Sequence, residues 1–243
     1  MKRWYGFAFS IVILTSCMQK DYGPVSNRPV GITTGYPSVV EIYGRRHCTG
    51  TVVGPRAILT AAHCVAATKS FRVSSGKVTA TGTMVFPIGA PESSEDLALL
   101  VTEEDLALTP YAIGNQISED NWVTLVGYGC NDFETQMGAG VKRVGTNVVT
   151  EIGQFIQVET PWWTGRHRTG LLGPSNRAGS CYGDSGGPLL FSQGDRERIV
   201  GVLHSVLKGN DDHITTFVDL TRPDIRAKLM RFNRERRLQI SFQ

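Results

Sequence analysis

Three short runs in this chain carry residue types that can do nucleophilic chemistry together. Gly183-Asp184-Ser185-Gly186-Gly187-Pro188 sets a serine among glycines. A serine hydroxyl is a weak nucleophile until a base, an acid that orients the base, and donors for a developing oxyanion surround it. Glycines let backbone N–H groups approach such an oxyanion closely. Taken alone, the run reads equally well as a glycine-rich turn. Leu59-Thr60-Ala61-Ala62-His63-Cys64 offers the base, and Asp96-Leu97-Ala98-Leu99-Leu100 offers the acid. Glu95, beside Asp96, is the rival acid. His47, His167, His204 and His213 have no comparable context and no metal-ligand spacing, so no metal and no cofactor is assigned.

The order His, Asp, Ser along the chain is that of the chymotrypsin class. At these three runs the sequence resembles the trypsin-like (chymotrypsin family) serine peptidases, over roughly residues 25–235. The resemblance implies an all-β fold of two antiparallel six-stranded β-barrels with the active site between them and a C-terminal α-helix. His63 and Asp96 then belong to the first barrel and Ser185 to the second. Ser185 is the expected nucleophile, His63 the base and later acid, and Asp96 the group that holds the imidazole tautomer. The family pattern favours Asp96 over Glu95, because its aspartate directly opens the apolar run. The N–H groups of Gly183 and Ser185 are the expected oxyanion hole. The implied activity is a serine endopeptidase acting on protein or peptide substrates through an acyl-enzyme. The alternative is a catalytically silent, protease-like binding module on a bacterial envelope. Such modules usually lose a triad residue, and this chain keeps all three.

The same resemblance implies further roles. A cysteine after the catalytic histidine pairs in the family with one on the preceding strand, which suggests Cys48–Cys64. Cys130 follows Gly127-Tyr128-Gly129, in the loop that runs beside the serine in this family, and a Cys130–Cys181 bridge is expected, with two free buried thiols as the alternative. Asp184 is the residue that receives a new N-terminal amine after cleavage in the family and so supports the oxyanion loop. Here Val25 is the best candidate for such an N-terminus, but Pro24 precedes it, and Arg28-Pro29 is also a poor cleavage site. Whether activation needs cleavage stays open.

The specificity pocket is expected around Gly179, Ser180, Tyr182, His204, Ser205 and Val206. Gly179 stands where trypsin-type members carry aspartate, so Arg or Lys selectivity is not expected. Either His204 or Ser205 takes the place of the family's wall serine, and Val206 would narrow the pocket. A small or apolar side chain is the leading preference. A histidine beside a serine also resembles glutamate-selective members.

These residues sit in a chain of 243 residues with 41% hydrophobic content, 27 glycines and formal charge +3. That suffices for one large or two small β domains. The small charge argues against a nucleic-acid partner. Residues 1–17 read as a signal peptide: Lys2-Arg3, the apolar run Trp4–Leu14, then Leu14-Thr15-Ser16-Cys17, which resembles a lipobox with Cys17 as the lipidated residue. The apolar run is too short for a membrane-spanning helix. The expected locations are the bacterial cell envelope, lipid-anchored, or secretion, both of which permit disulfides. Membrane contact through the N-terminal lipid only, and a monomer, are expected.

Residues 18–36 read as a tether and N-terminal segment, 37–115 as the first barrel, 116–220 as the second and 221–237 as a helix. Short apolar runs punctuated by Gly and Pro, among them Val39–Tyr43, Ala57–Thr60, Trp122–Gly127 and Ile199–Leu207, follow strand-and-turn grammar. Ile225, Leu229 and Phe232 recur at helical spacing after Pro223, with Asp219 or Thr221 as candidate caps and Arg231, Arg234, Arg236 and Arg237 near the end. Residues 238–243 carry no readable pattern.

Overall fold

A computed structural model describes residues 31–44, 46–66, 68, 70–82, 84–133, 135–161, 177–208 and 212–243. The lipobox, residues 18–30 of the tether and N-terminal segment, the candidate cleavage sites and His167 lie outside the described residues. The chain is mostly β. In order it forms β1 (Gly31–Ile32), β2 (Val39–Tyr43), β3 (His47–Gly54), β4 (Ala57–Thr60), a one-turn helix α1 (Ala62–Val65), β5 (Phe71–Ser75), β6 (Val78–Gly82), β7 (Met84–Pro87) and β8 (Ala98–Val101). The second half forms β9 (Trp122–Gly127), β10 (Arg143–Ile152), β11 (Ile156–Pro161), β12 (Pro188–Gln193), β13 (Arg196–Lys208), β14 (Asp212–Asp219) and a helix α2 (Pro223–Arg236).

All strand pairs are antiparallel. The second half runs β10-β11-β14-β13-β12-β9 and closes through β9–β10, a six-stranded barrel with β1 added along β10. The first half runs β6-β5-β2-β3-β4-β8-β7 and curls, among the described residues, without the closing pair that the family resemblance suggested. Each half has its own interior. Val40, Ile42, Val52, Ile58 and Leu100 fill the first; Val149, Ile156, Val158, Leu189 and Phe217 fill the second. A third core spans the seam, where Leu59, Leu97 and Leu99 meet Leu190, Ile199 and Val202. The cleft between the halves is therefore framed by a packed apolar interface rather than by a hinge.

Helix α2 begins at Pro223, but neither Asp219 nor Thr221 caps it; Arg222 holds the N-cap position without a side-chain capping hydrogen bond. Asp219 instead accepts the backbone N–H and hydroxyl of Thr221 at 2.7 Å each and shapes the preceding turn. Ile225 and Leu229 are its fully buried side chains, joined in the seam core by Leu238 and Ile240. Burying each such side chain contributes about 2 kcal/mol. The segment after α2 thus has a clear role. Asn233 bonds both N–H and C=O of Ile240, and Ile113, in the connector between the halves, bridges in parallel to both Ile199 and Phe242. The carbonyl of Leu238 lies so close to Gly54 that a Cβ there would meet it at 2.2 Å.

Candidate active site

His63 sits on α1, directly after β4, rather than on a loop, and Asp96 stands just before β8. Because β4 and β8 are neighbours in register from Thr60↔Ala98 to Ala57↔Val101, their ends bring His63 and Asp96 together. Asp96 Oδ1 accepts the backbone N–H of His63 at 2.9 Å, and Oδ2 lies 2.6 Å from His63 Nδ1. Glu95 points away and pairs with Lys228 of α2, which removes it as the rival acid. The Cys48–Cys64 bridge ties α1 to β3.

A second imidazole completes the carboxylate's surroundings. His204 Nδ1 lies 3.0 Å from the same Asp96 Oδ2. The pairing of β13 with β14 steps from Leu203↔Phe217 to Ser205↔Thr216, leaving His204 as the extra residue of a β-bulge. Bulges re-aim a side chain, and this one turns His204 onto Asp96 while Ser205 bonds Thr216 at 2.8 Å. Phe155 stacks on the His204 ring at 4.7 Å and 5°. Asp96 is fully buried. Burial alone would raise its pKa, but the hydrogen bonds from His204 and His63 outweigh it and hold the carboxyl well below the usual range.

Ser185 opens onto a cavity of about 530 Å³ that it shares with His63, Arg46, His47, Gln136 and Tyr182. Its loop is anchored to the first half by Thr49, a buried residue that sequence reasoning did not single out. Thr49 N–H donates to the Ser185 carbonyl at 2.9 Å, and its hydroxyl donates to the Gly183 carbonyl at 2.9 Å. The Tyr182 carbonyl accepts from Cys130 N–H at 2.8 Å, and the Asp184 carbonyl accepts from Gly187 N–H at 2.9 Å. In a trans peptide the N–H points opposite to the C=O. The N–H groups of Gly183 and Ser185 therefore lie on the far side of peptides whose carbonyls are already tied down. Gly186, at φ 81°, approaches the first half so closely that a Cβ would lie 2.1 Å from Thr60 Oγ1 and 2.4 Å from the Thr49 carbonyl. That contact explains the glycine after the serine.

Asp184 turns inward. Its carboxylate accepts the N–H of Gly129 at 2.7 Å and of Cys181 at 2.9 Å. A Cβ on Gly129 would meet it at 2.4 Å, so the Gly-Tyr-Gly run leaves the space that this carboxylate fills. Loss of water pushes its pKa up to about 6, against the pull of those two N–H groups and of the charges on Arg143 and His47. Arg143 Nη1 donates to the carbonyls of Gly129, Gly138 and Val141 at 2.9, 2.8 and 3.1 Å. The Cys130–Cys181 bridge joins the same two loops. Arg143 had no signal in the sequence, since a lone arginine at a strand start is ordinarily solvated.

The expected pocket residues are not all found in one place. Gly179 packs against Thr160, whose hydroxyl a Cβ would meet at 3.0 Å, and Ser180 is buried. Tyr182 is 54% exposed and stacks against Phe133 at 5.0 Å. Ser205 and Val206 are half-buried on β13. His204 Nδ1 faces Asp96. Residues 162–176 and 209–211 lie outside the described residues.

A closed second barrel, a curled first sheet and a C-terminal helix, with a His–Asp pair and a loop serine at one cleft, are the architecture of the trypsin-like serine peptidase family. The Trypsin family model matches residues 26–222, most of the chain, and the chain belongs to that family. Chymotrypsin-C of Bos taurus is 28% identical over 171 residues, 60% of this chain and 62% of that protein. The chain thus spans less than two thirds of that relative's length. The structure of neuropsin, a serine protease expressed in the limbic system of mouse brain, matches at a TM-score of 0.62 and 18% identity, over 83% of this chain and 98% of that one. At that identity the likeness speaks for the fold.

Proposed function

We propose that this chain is an active serine endopeptidase. The observation that carries this reading is that His63, bonded behind to the buried Asp96, lines one cavity with Ser185. Ser185 Oγ attacks the scissile carbonyl as His63 takes its proton. The oxyanion receives the N–H groups of Gly183 and Ser185, and the carbonyl collapses to an acyl-enzyme as His63 returns the proton to the leaving amine. Water then repeats the sequence and releases the acid. Asp96 stays ionised and stabilises the imidazolium. A fluorophosphonate probe is expected to label the purified chain stoichiometrically at Ser185. Absence of labelling in a folded, chelator-treated sample removes this reading in favour of the silent binding module.

The substrate side chain before the scissile bond is proposed to be small or apolar. Gly179 offers no carboxylate, and burying a cation without a partner costs several kcal/mol. The bulge that aims His204 at Asp96 takes that imidazole away from a glutamate-binding role. Among matched peptides carrying Arg, Phe, Ala or Glu at that position, Phe or Ala is expected to give the largest kcat/KM. A clear preference for Arg would refute the pocket argument and leave the triad untouched. Export with lipid attachment at Cys17 is the proposed setting, and it accords with two disulfides.

A further inference from the structure

His63, Glu92, Asp96 and His204 each bring one ligand-competent atom within 4.8 Å of the other three. These residues are dispersed along the chain, and only the β4–β8 register and the β13 bulge assemble them. We infer that this cluster is a binding site for a divalent transition metal, zinc by its donor set, and that filling it switches the peptidase off. The inference rests on the catalytic reading of His63 and Asp96.

Two imidazoles and two carboxylates suit zinc, whereas calcium and magnesium call for oxygen donors alone. A second grouping around His63, with Cys48 and Cys64, offers no thiolate because the two cysteines are closed as a disulfide. Three of the four ligands are already in place. Asp96 is fixed by the His63 backbone, His63 by α1, and His204 by stacking on Phe155. Donors on a tetrahedral zinc lie about 3.4 Å apart, so the wider pairs, all within 4.8 Å, must close, while Asp96 Oδ2, now 2.6 and 3.0 Å from the two Nδ1 atoms, must draw back as those hydrogen bonds give way to the ion. Glu92 supplies the freedom for this. Its side chain is 60% exposed, and its present partner is a 3.7 Å surface contact with Arg46. Such exposed pairs contribute little, so Glu92 can exchange one cation for another at small cost.

Zinc takes each ring at the Nδ1 that now faces Asp96, and the proton carried there moves to Nε2 of the same neutral imidazole. No other bond forms or breaks. A His63 ring held by zinc cannot serve Ser185 as a base, so the ion and turnover exclude each other.

The test uses the full chain after chelator treatment, with zinc chloride as the only added metal. Zinc at micromolar concentration is expected to cut peptide turnover more than about tenfold, and excess chelator is expected to restore it. Glu92→Gln is expected to keep metal-free turnover within about twofold while weakening zinc inhibition at least about tenfold. Cobalt added to the Ser185→Ala variant is expected to give the visible absorption of a four-coordinate nitrogen–oxygen site, and Glu92→Gln in that background to weaken it. No inhibition at millimolar zinc, or equal inhibition of Glu92→Gln, overturns the inference. The cobalt spectrum needs no turnover. A chain that gives it without labelling by a fluorophosphonate keeps the metal site and loses the peptidase reading, and the converse result does the opposite.

Discussion

Ser185→Ala is expected to abolish peptide hydrolysis while leaving the melting transition nearly unchanged. The structural bonds at this position are made by the backbone: the Ser185 carbonyl accepts from Thr49 N–H at 2.9 Å. The hydroxyl faces the cavity shared with His63, so its removal leaves no buried partner unsatisfied. Loss of the nucleophile in this mechanism lowers turnover by roughly 10,000- to 1,000,000-fold. Turnover of a peptide substrate, measured beside a thermal melt, checks both halves. Undiminished hydrolysis would end the assignment of Ser185, and an unfolded variant would show that the hydroxyl has a packing role not evident in its surroundings.

Asp96→Asn is expected to be nearly as damaging, for a different reason. An asparagine can keep one oxygen toward the His63 backbone N–H. Its amide nitrogen then faces the two imidazoles where Oδ2 now accepts from both, at 2.6 and 3.0 Å. A donor there forces His63 into the tautomer that presents an N–H to Ser185 instead of a lone pair. The expected loss in kcat is about 10,000-fold, with KM little changed. Stability should also fall, by about 1–3 kcal/mol, because two buried hydrogen bonds to a charged carboxylate give way to weaker neutral ones. The kcat–KM split and the melting temperature separate the two effects. A variant within tenfold of the parent in kcat would show that Asp96 does not orient the base.

The nucleophile loop, the histidine and the aspartate were legible because each is embedded in a run whose neighbours are constrained by the same geometry. Gly186 is a case in point, since its contact with Thr60 and Thr49 admits no side chain. Asp96 was separable from Glu95 by the apolar strand that follows it. The contact of His204 with Asp96 was not legible, because a β-bulge adds one residue to β13 without changing its strand-like composition. Period-based reading cannot detect such a step. Thr49 and Arg143 escaped notice for a related reason: each acts through bonds to carbonyls of loops distant in sequence. The open first sheet, the uncapped start of α2 and the buried segment after it are likewise set by tertiary packing rather than by local pattern.

That last segment bears on how the molecule is put together. The strands of both halves end by Asp219, yet Leu238, Ile240 and Phe242 come after them in the chain. Between them they touch Gly54 of β3, Ile113 of the connector and, through Ile113, Ile199 of β13. The segment after α2 thus works as a latch. It holds the half that carries His63 against the half that carries Ser185, so the geometry of the cleft depends on residues that belong to neither sheet.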